Sequence, residues 1–305
     1  MQPTSTYRLT PYELGPRAVL PSEVDDIIDW GLRNSNIPAI WQDTEGQDIL
    51  IGVCDSGRPT HTDLINRVVV AKNCTGDGTD VDTLGHSTHV CGILSAERNG
   101  QGTVGVAPQA KLCVAKVISN DGTGTEEGTA KGIEFCRKQS CDIISLSLSG
   151  AYSRAIDTEI AAAVKAGILV ICAAGNSGAQ TSGNSVTWPA KSPRVLAIGS
   201  YNADGNISKF SSHGPEVVFA FPGENILSCW LHNTYRRSSG TSMAAPFCSG
   251  LLALLLSYNR KNNLPRIETR DEAEAALRSH AVDAGSLGRD NFWGWGFVVI
   301  KELGV

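Results

Sequence analysis

Residues 110–172 read AKLCVAKVISNDGTGTEEGTAKGIEFCRKQSCDIISLSLSGAYSRAIDTEIAAAVKAGILVIC. Three short apolar runs, residues 110–118, 141–148 and 168–172, alternate with two segments of helical spacing, residues 125–139 and 153–166. Continuous apolar runs of this length predict strands buried on both faces, as in a parallel sheet. Thr125 and Glu126 suit the first turn of the first helix, and Gly167 closes the second. The pattern extends outward. Upstream, residues 48–54 (DILIGVC) form another buried strand, and residues 86–97 have helical spacing. Downstream come a strand at 195–199, a strongly apolar helix at 241–258 and an amphipathic helix at 271–280. This alternation predicts an α/β fold with a mostly parallel central sheet and helices on both faces. Ligands of such sheets sit at the carboxyl ends of the strands.

The chain has 305 residues and a formal net charge of −5, with 41% hydrophobic and 19% charged residues. That mixture excludes a disordered chain, and its mild acidity argues against nucleic acid as a partner. The longest apolar run, residues 251–256, is far short of a membrane span, and residues 1–20 lack the apolar core of a signal peptide. The nine cysteines are odd in number and irregular in spacing, and several sit inside strand-like runs. Reduced core thiols in a cytoplasmic protein are the favoured reading. A disulfide framework is the alternative, and a zinc site the third, disfavoured because the sequence holds no C-x-x-C pair.

Three residues at predicted strand ends or helix starts carry chemistry: Asp55 in VCDSG, His86 in GHSTHVCG and Ser242 in SSGTSMAAP. A serine hydroxyl is a poor nucleophile unless a base stands beside it and a carboxylate orients that base. Taken singly, each has an ordinary reading as a turn, a histidine near glycine and a helix cap.

Together GVCDSG, GHSTHVCG and GTSMAAP resemble the three active-site blocks of the subtilisin family of serine proteases, over nearly the whole chain from Trp30 onward. The order Asp, His, Ser is that of subtilisin. The resemblance implies a serine endopeptidase with Ser242 as nucleophile, His86 as general base and acid, and Asp55 holding the imidazole tautomer. His89 matches a histidine of structural role. Ser87 departs from the family's H-G-T-H pattern. Asn176, in AAGN, matches the family's oxyanion donor, with the backbone N–H of Ser242 beside it. Gly122, Thr123 and Gly124, and Ser147, Leu148 and Ser149, resemble the substrate-binding strands. Thr187 matches the floor of the primary pocket, implying a medium, mainly apolar pocket. Glu126 falls where the family has the lid of a remote subsite.

The segment from Asn99 to Thr103 resembles the family's calcium loop. The resemblance implies structural Ca2+ held by the Asn99 side chain, the carbonyls of Gln101 and Thr103, the remote carboxylate of Asp63 and an acidic residue near the domain start, Asp26. For a weaker cation site Glu216 is retained, but Val218 replaces a carboxylate. Residues 1–22 hold four prolines and read as an extended arm, with residues 23–305 as the catalytic domain. Within the arm Leu9, Pro11 and Tyr12 resemble the leucine-x-proline-tyrosine element of intracellular subtilisins. In that group a short N-terminal extension lies across the active site until removed. The implied partners are polypeptide substrates, the protein's own extension and a second copy in a homodimer. The competing reading is a catalytically impaired subtilase scaffold that binds peptides.

Overall fold

A computed structural model describes residues 6–18, 25–178 and 182–303. The arm supplies β1 (Thr6–Leu9) and β2 (Glu13–Ala18). Next come α1 (Trp30–Asn34), α2 (Ile37–Ile40), β3 (Leu50–Asp55), β4 (Val68–Asn73), α3 (His86–Ser95), β5 (Lys111–Lys116) and β6 (Thr123–Thr125). Then follow α4 (Glu126–Lys138), β7 (Ile143–Leu146), β8 (Leu148–Ser149), α5 (Arg154–Lys165), β9 (Leu169–Ala173) and β10 (Leu196–Tyr201). The C-terminal part holds β11 (Val217–Pro222), β12 (Ile226–Trp230), β13 (Thr234–Ser239), α6 (Thr241–Lys261), α7 (Arg270–Arg278), β14 (Ala281–Val282) and β15 (Phe297–Val298).

Among the described residues the central sheet has nine strands in the order β14-β15-β11-β10-β9-β7-β3-β5-β4. All its pairings are parallel except β14 with β15. The apolar runs are continuous because both faces are covered. Ile51 and Val53 of β3 pack into the cluster that holds α3 and α6, while Cys54 packs into the cluster that holds α4 and α5. Side chains alternate across a strand, so one strand feeds both cores.

Local signals set the helix ends. Thr125 caps α4 by accepting from Gly128 N, and Ser153 caps α5 by accepting from Ile156 N. Thr269 and Glu272 form a reciprocal capping box on α7. Helix α6 is long and apolar enough to cross a membrane, yet Thr241–Ser257 are buried inside the protein, where they make the core helix.

Two boundaries differ from the sequence expectation. The run 141–148 is not one strand. β7 stays in the central sheet, and β8 turns away to pair with β1. The arm is structured as two strands. Each completes a three-stranded sheet, β6-β1-β8 and β12-β13-β2.

Helix α3, which starts at His86, sits close against β12 because Gly92 has no side chain. A Cβ there would lie 2.2 Å from Ser228 Oγ and 3.0 Å from Cys229 N. Gly92→Ala is therefore expected to lower stability by about 1–3 kcal/mol in chemical denaturation. An unchanged midpoint would show that α3 can retreat at no cost.

Candidate active site

Asp55 ends β3 and His86 opens α3, so the parallel sheet brings them together at its carboxyl edge. His86 Nδ1 stands 2.8 Å from Asp55 Oδ1 and 3.0 Å from Oδ2, with both residues fully buried. Ser56 N donates to Asp55 Oδ1 at 2.7 Å. Gly85 precedes His86 at φ 86°, and a Cβ there would meet the Trp230 ring at 2.6 Å. This position needs glycine for both reasons.

A residue absent from the sequence reading holds the turn before α3. Buried Asp82 accepts from Ser56 Oγ, Leu84 N, Gly85 N, Thr88 N and Thr88 Oγ1 at 2.6–3.0 Å. Ser56 Oγ in turn accepts from Ser87 N at 3.0 Å. The Ser87 hydroxyl lies 3.9 Å from Cys91 Sγ, one turn along α3, so the departure from glycine is accommodated within the helix.

Ser242 is the second residue of α6 and is buried. Its hydroxyl donates to the Ser147 carbonyl at 3.3 Å, and Ser147 Oγ donates to the Ser242 carbonyl at 3.1 Å. His86 Nε2 is buried without a partner. Asn176 follows β9. Its Oδ1 accepts from Thr241 N at 2.9 Å and Thr241 Oγ1 at 2.8 Å, which orients its amide.

The Asn176 amide donates to the carbonyl of Pro11, in the arm. Strand β1 lies between β6 and β8, antiparallel to both. Tyr7 is opposite Gly124, Arg8 opposite Thr123 and Ser149, and Leu9 opposite Leu148. Thr10 N donates to the Ser147 carbonyl at 3.4 Å. Tyr12 sets its ring 4.7 Å from that of His86. Burial, and then the carboxylates of Asp55 and Asp82, push its phenol up to about 12. Gly240 allows this approach, since a Cβ there would lie 2.9 Å from Asn176 Nδ2 and 3.3 Å from Tyr12 Cβ.

Several cleft residues differ in detail from expectation. Gly122 lies outside the pairing. It sits in the preceding turn at φ 83°, and Thr125, opposite Thr6, takes part instead. The Thr187 hydroxyl is buried without a partner, so the predicted pocket floor carries an unpaired polar atom. Tyr7 is fully buried, donates to the Ala151 carbonyl and covers Gly150. Burial and then the charge of Glu126 raise its phenol pKa. The second strand of the arm runs along β13, with Glu13 opposite Ser239, Leu14 opposite Ser238 and Arg17 opposite Arg236.

The loop after α3 turns through Gly100 and Gly102, both at positive φ. Asp26 Oδ1 accepts from Asn99 N and Gly100 N at 3.2 and 2.9 Å, and Ile27 N donates to the Gly102 carbonyl at 2.7 Å. Asp63 is buried, and burial raises its pKa. The Tyr235 hydroxyl donates to it at 2.8 Å. A buried carboxylate beside a carbonyl-bearing glycine turn has the hard-oxygen chemistry that suits Ca2+. Val218 is buried in β11, and Glu216 accepts both bonds of its pair from Asn184 Nδ2, so nothing here adds a carboxylate to Glu216.

Comparison with known proteins decides the family. The subtilase family model matches residues 46–296. The chain belongs to the subtilase family. It is a subtilisin-like serine endopeptidase, a hydrolase. It is 37% identical over 265 residues to the major intracellular serine protease of Bacillus subtilis (strain 168), covering 84% of this chain and 82% of that protein. It is 37% identical over 264 residues to the intracellular serine protease of Paenibacillus polymyxa, covering 84% and 81%. With subtilisin DY of Bacillus licheniformis it shares 35% over 262 residues, 85% of this chain and 92% of that protein.

In this subtilase His89 lies one turn beyond His86, and its Nε2 reaches the carbonyls of Ile226 and Arg236 at 3.1 and 3.0 Å. Nε2 is therefore the protonated nitrogen of the neutral ring. Burial is the main cause that lowers its pKa to about 3. The unfolded chain binds this proton near pH 6.5 and the folded chain does not, so the stabilisation is full above that pH and is lost as pH falls towards 3. The loss approaches about 1.4 kcal/mol per pH unit. His89→Gln should flatten that acid limb of the stability curve. An identical slope in both proteins would contradict the assignment.

Proposed function

We propose that this subtilase hydrolyses peptide bonds through an acyl-enzyme on Ser242, and that its own N-terminal arm holds it latent. The observation that carries the reading is the path of the arm. It enters as a strand between β6 and β8, delivers the Pro11 carbonyl to Asn176 and ends with Tyr12 over His86. A polypeptide substrate would take the same path, pairing its backbone with Thr123, Gly124, Leu148 and Ser149.

In the working cycle His86 Nε2 takes the proton of Ser242 Oγ as the hydroxyl attacks the scissile carbonyl, and Asp55 stabilises the imidazolium. The Asn176 amide and the Ser242 N–H receive the negative charge that develops on oxygen. His86 then returns its proton to the departing amine, and water repeats the sequence to release the acyl group. In the latent arrangement no hydrogen bond joins Ser242 Oγ to His86 Nε2. Ser242 Oγ bonds to Ser147, His86 Nε2 has no partner, and the carbonyl on Asn176 precedes Tyr12, whose ring covers the base. Pro11 has a fixed φ and no N–H, so the arm cannot relax freely into a substrate pose.

The calcium set is Asp63, with Asn99, Gln101 and Thr103 supplying oxygens from the loop, and Asp26 bracing that loop through its N–H groups. Ca2+ bound there would act as a structural clamp and take no part in the chemistry. Nine free thiols, and relatives named as intracellular, support a cytoplasmic setting.

The test compares peptide hydrolysis by the full chain, a chain starting at Ser22, and Ser242→Ala and Asn176→Ala in the shortened form. The full chain is expected to show at least about tenfold lower kcat/KM, because apparent affinity scales with the open fraction of the cleft. Magnitudes established on subtilisin itself predict losses of about 10⁶ in kcat for Ser242→Ala and about 10²–10³ for Asn176→Ala. Equal activity of full and shortened chains would overturn latency. Activity surviving Ser242→Ala would overturn the nucleophile. A chelator should lower the melting temperature, and added Ca2+ should restore it. An unmoved melting temperature would remove calcium from the account.

A further inference from the structure

A group of thiols outside the active site is unused by the proteolytic reading. Cys113 lies on β5, Cys136 on α4, and Cys141 between α4 and β7, without C-x-x-C spacing. Their three sulfurs all lie within 4.8 Å of one another, and all three residues are buried. Cys54, on β3 next to Asp55, places its sulfur 3.8 Å from that of Cys136.

The backbone makes room for these sulfurs. Gly52 faces them from β3, and a Cβ there would lie 2.8 Å from Cys136 Cβ, 2.9 Å from Cys136 Sγ and 3.3 Å from Cys141 Sγ. Any other residue at Gly52 would displace the group.

We propose that Cys113, Cys136 and Cys141, with Cys54 as the fourth donor, form a binding site for a soft divalent d10 metal ion, Zn2+ in the cell. The donor set carries the argument. Two sulfurs on a tetrahedral zinc, with Zn–S of about 2.3 Å, stand about 3.8 Å apart; Cys54 and Cys136 have that separation, and the sulfurs of Cys113, Cys136 and Cys141, within 4.8 Å of one another, would close to it on binding with Cys54 drawn in. Thiolate sulfur selects such ions over the hard cations that suit the oxygen-rich loop at Asp63.

The binding step balances without an oxidant. Four S–H groups release their protons to solvent and four Zn–S bonds form. Four thiolates leave two residual negative charges on a divalent ion and three on a monovalent one, so a divalent ion suits an apolar core better. The sulfurs are shut off from solvent, so the ion would enter during folding. It would tie β3, β5 and α4 together directly beneath the residue that orients His86.

The full-length protein is produced with zinc in the growth medium, purified under reducing conditions and treated with a chelator that strips surface ions. About one equivalent of zinc should remain. Cys136→Ser and Cys113→Ser should lose it. Cys248→Ser, and Cys229→Ser in the separate His61–Asp63–Cys229 group, should keep it. Protein produced with Cd2+ as the probe should show thiolate-to-cadmium charge-transfer absorption. That band is read on the wild-type chain, so it decides the question even if Cys136→Ser fails to fold. Wild-type protein with no chelator-resistant zinc and no cadmium band would overturn the proposal, as would equal zinc in folded Cys136→Ser.

Discussion

The carboxyl edge of a parallel sheet is the constraint from which the rest follows. β3 ends at Asp55 beside α3, which begins at His86, and the 2.8 Å bond between them is buried. A buried carboxylate must be satisfied, and here Ser56 N and the imidazole satisfy it. The Asp82 network then fixes the turn that presents His86, and Gly92 lets α3 lie flat on β12. Helix α6 brings Ser242 to the same edge because it is the core helix, covered along most of its length. Asp55, His86 and Ser242 therefore stand at the ends of buried strands and helices of the core.

Strand edges such as those of β6, β8 and β13 can take up extended chain. The arm does so on both sides of Ser242, through β1 between β6 and β8 and through β2 on β13. Edge strands left unpaired are a liability, and the arm covers both. Because the arm is tethered, its local concentration is of millimolar order, so modest contacts suffice to occupy the cleft. Burial of Tyr7 alone contributes about 2 kcal/mol. The arm meets the candidate site at two points, Pro11 on Asn176 and Tyr12 on His86.

The sequence made the central sheet legible because its strands are buried on both faces and read as continuous apolar runs. Asp55, His86, Ser242 and Asn176 stood out because each sits in a short block at a strand end or helix start; in the structure His86 bonds to Asp55, and Asn176 accepts from Thr241, the neighbour of Ser242. Other features were not legible. The split of residues 141–148 into β7 and β8 depends on a partner, β1, more than a hundred residues away. β2 and β13 recognise each other through backbone bonds, which leave little mark on side-chain pattern. Asp82 acts by accepting bonds from its neighbours in a turn, which aspartates do in many turns. The thiol group was hidden because its cysteines lack C-x-x-C spacing, and only the sheet brings Cys54 of β3 and Cys113 of β5 to Cys136 and Cys141 at the end of α4.

The most direct measurement is the rate at which a phosphonylating serine reagent labels Ser242, followed by mass spectrometry of the intact chain and of the labelled peptide. The reagent needs only an activated hydroxyl and an accessible oxyanion site, so it reads the machinery without a substrate preference. The full chain should label slowly and the chain starting at Ser22 quickly, with the adduct on Ser242 in both. Equal rates, or an adduct on another residue, would contradict an arm-gated Asp55–His86–Ser242 site.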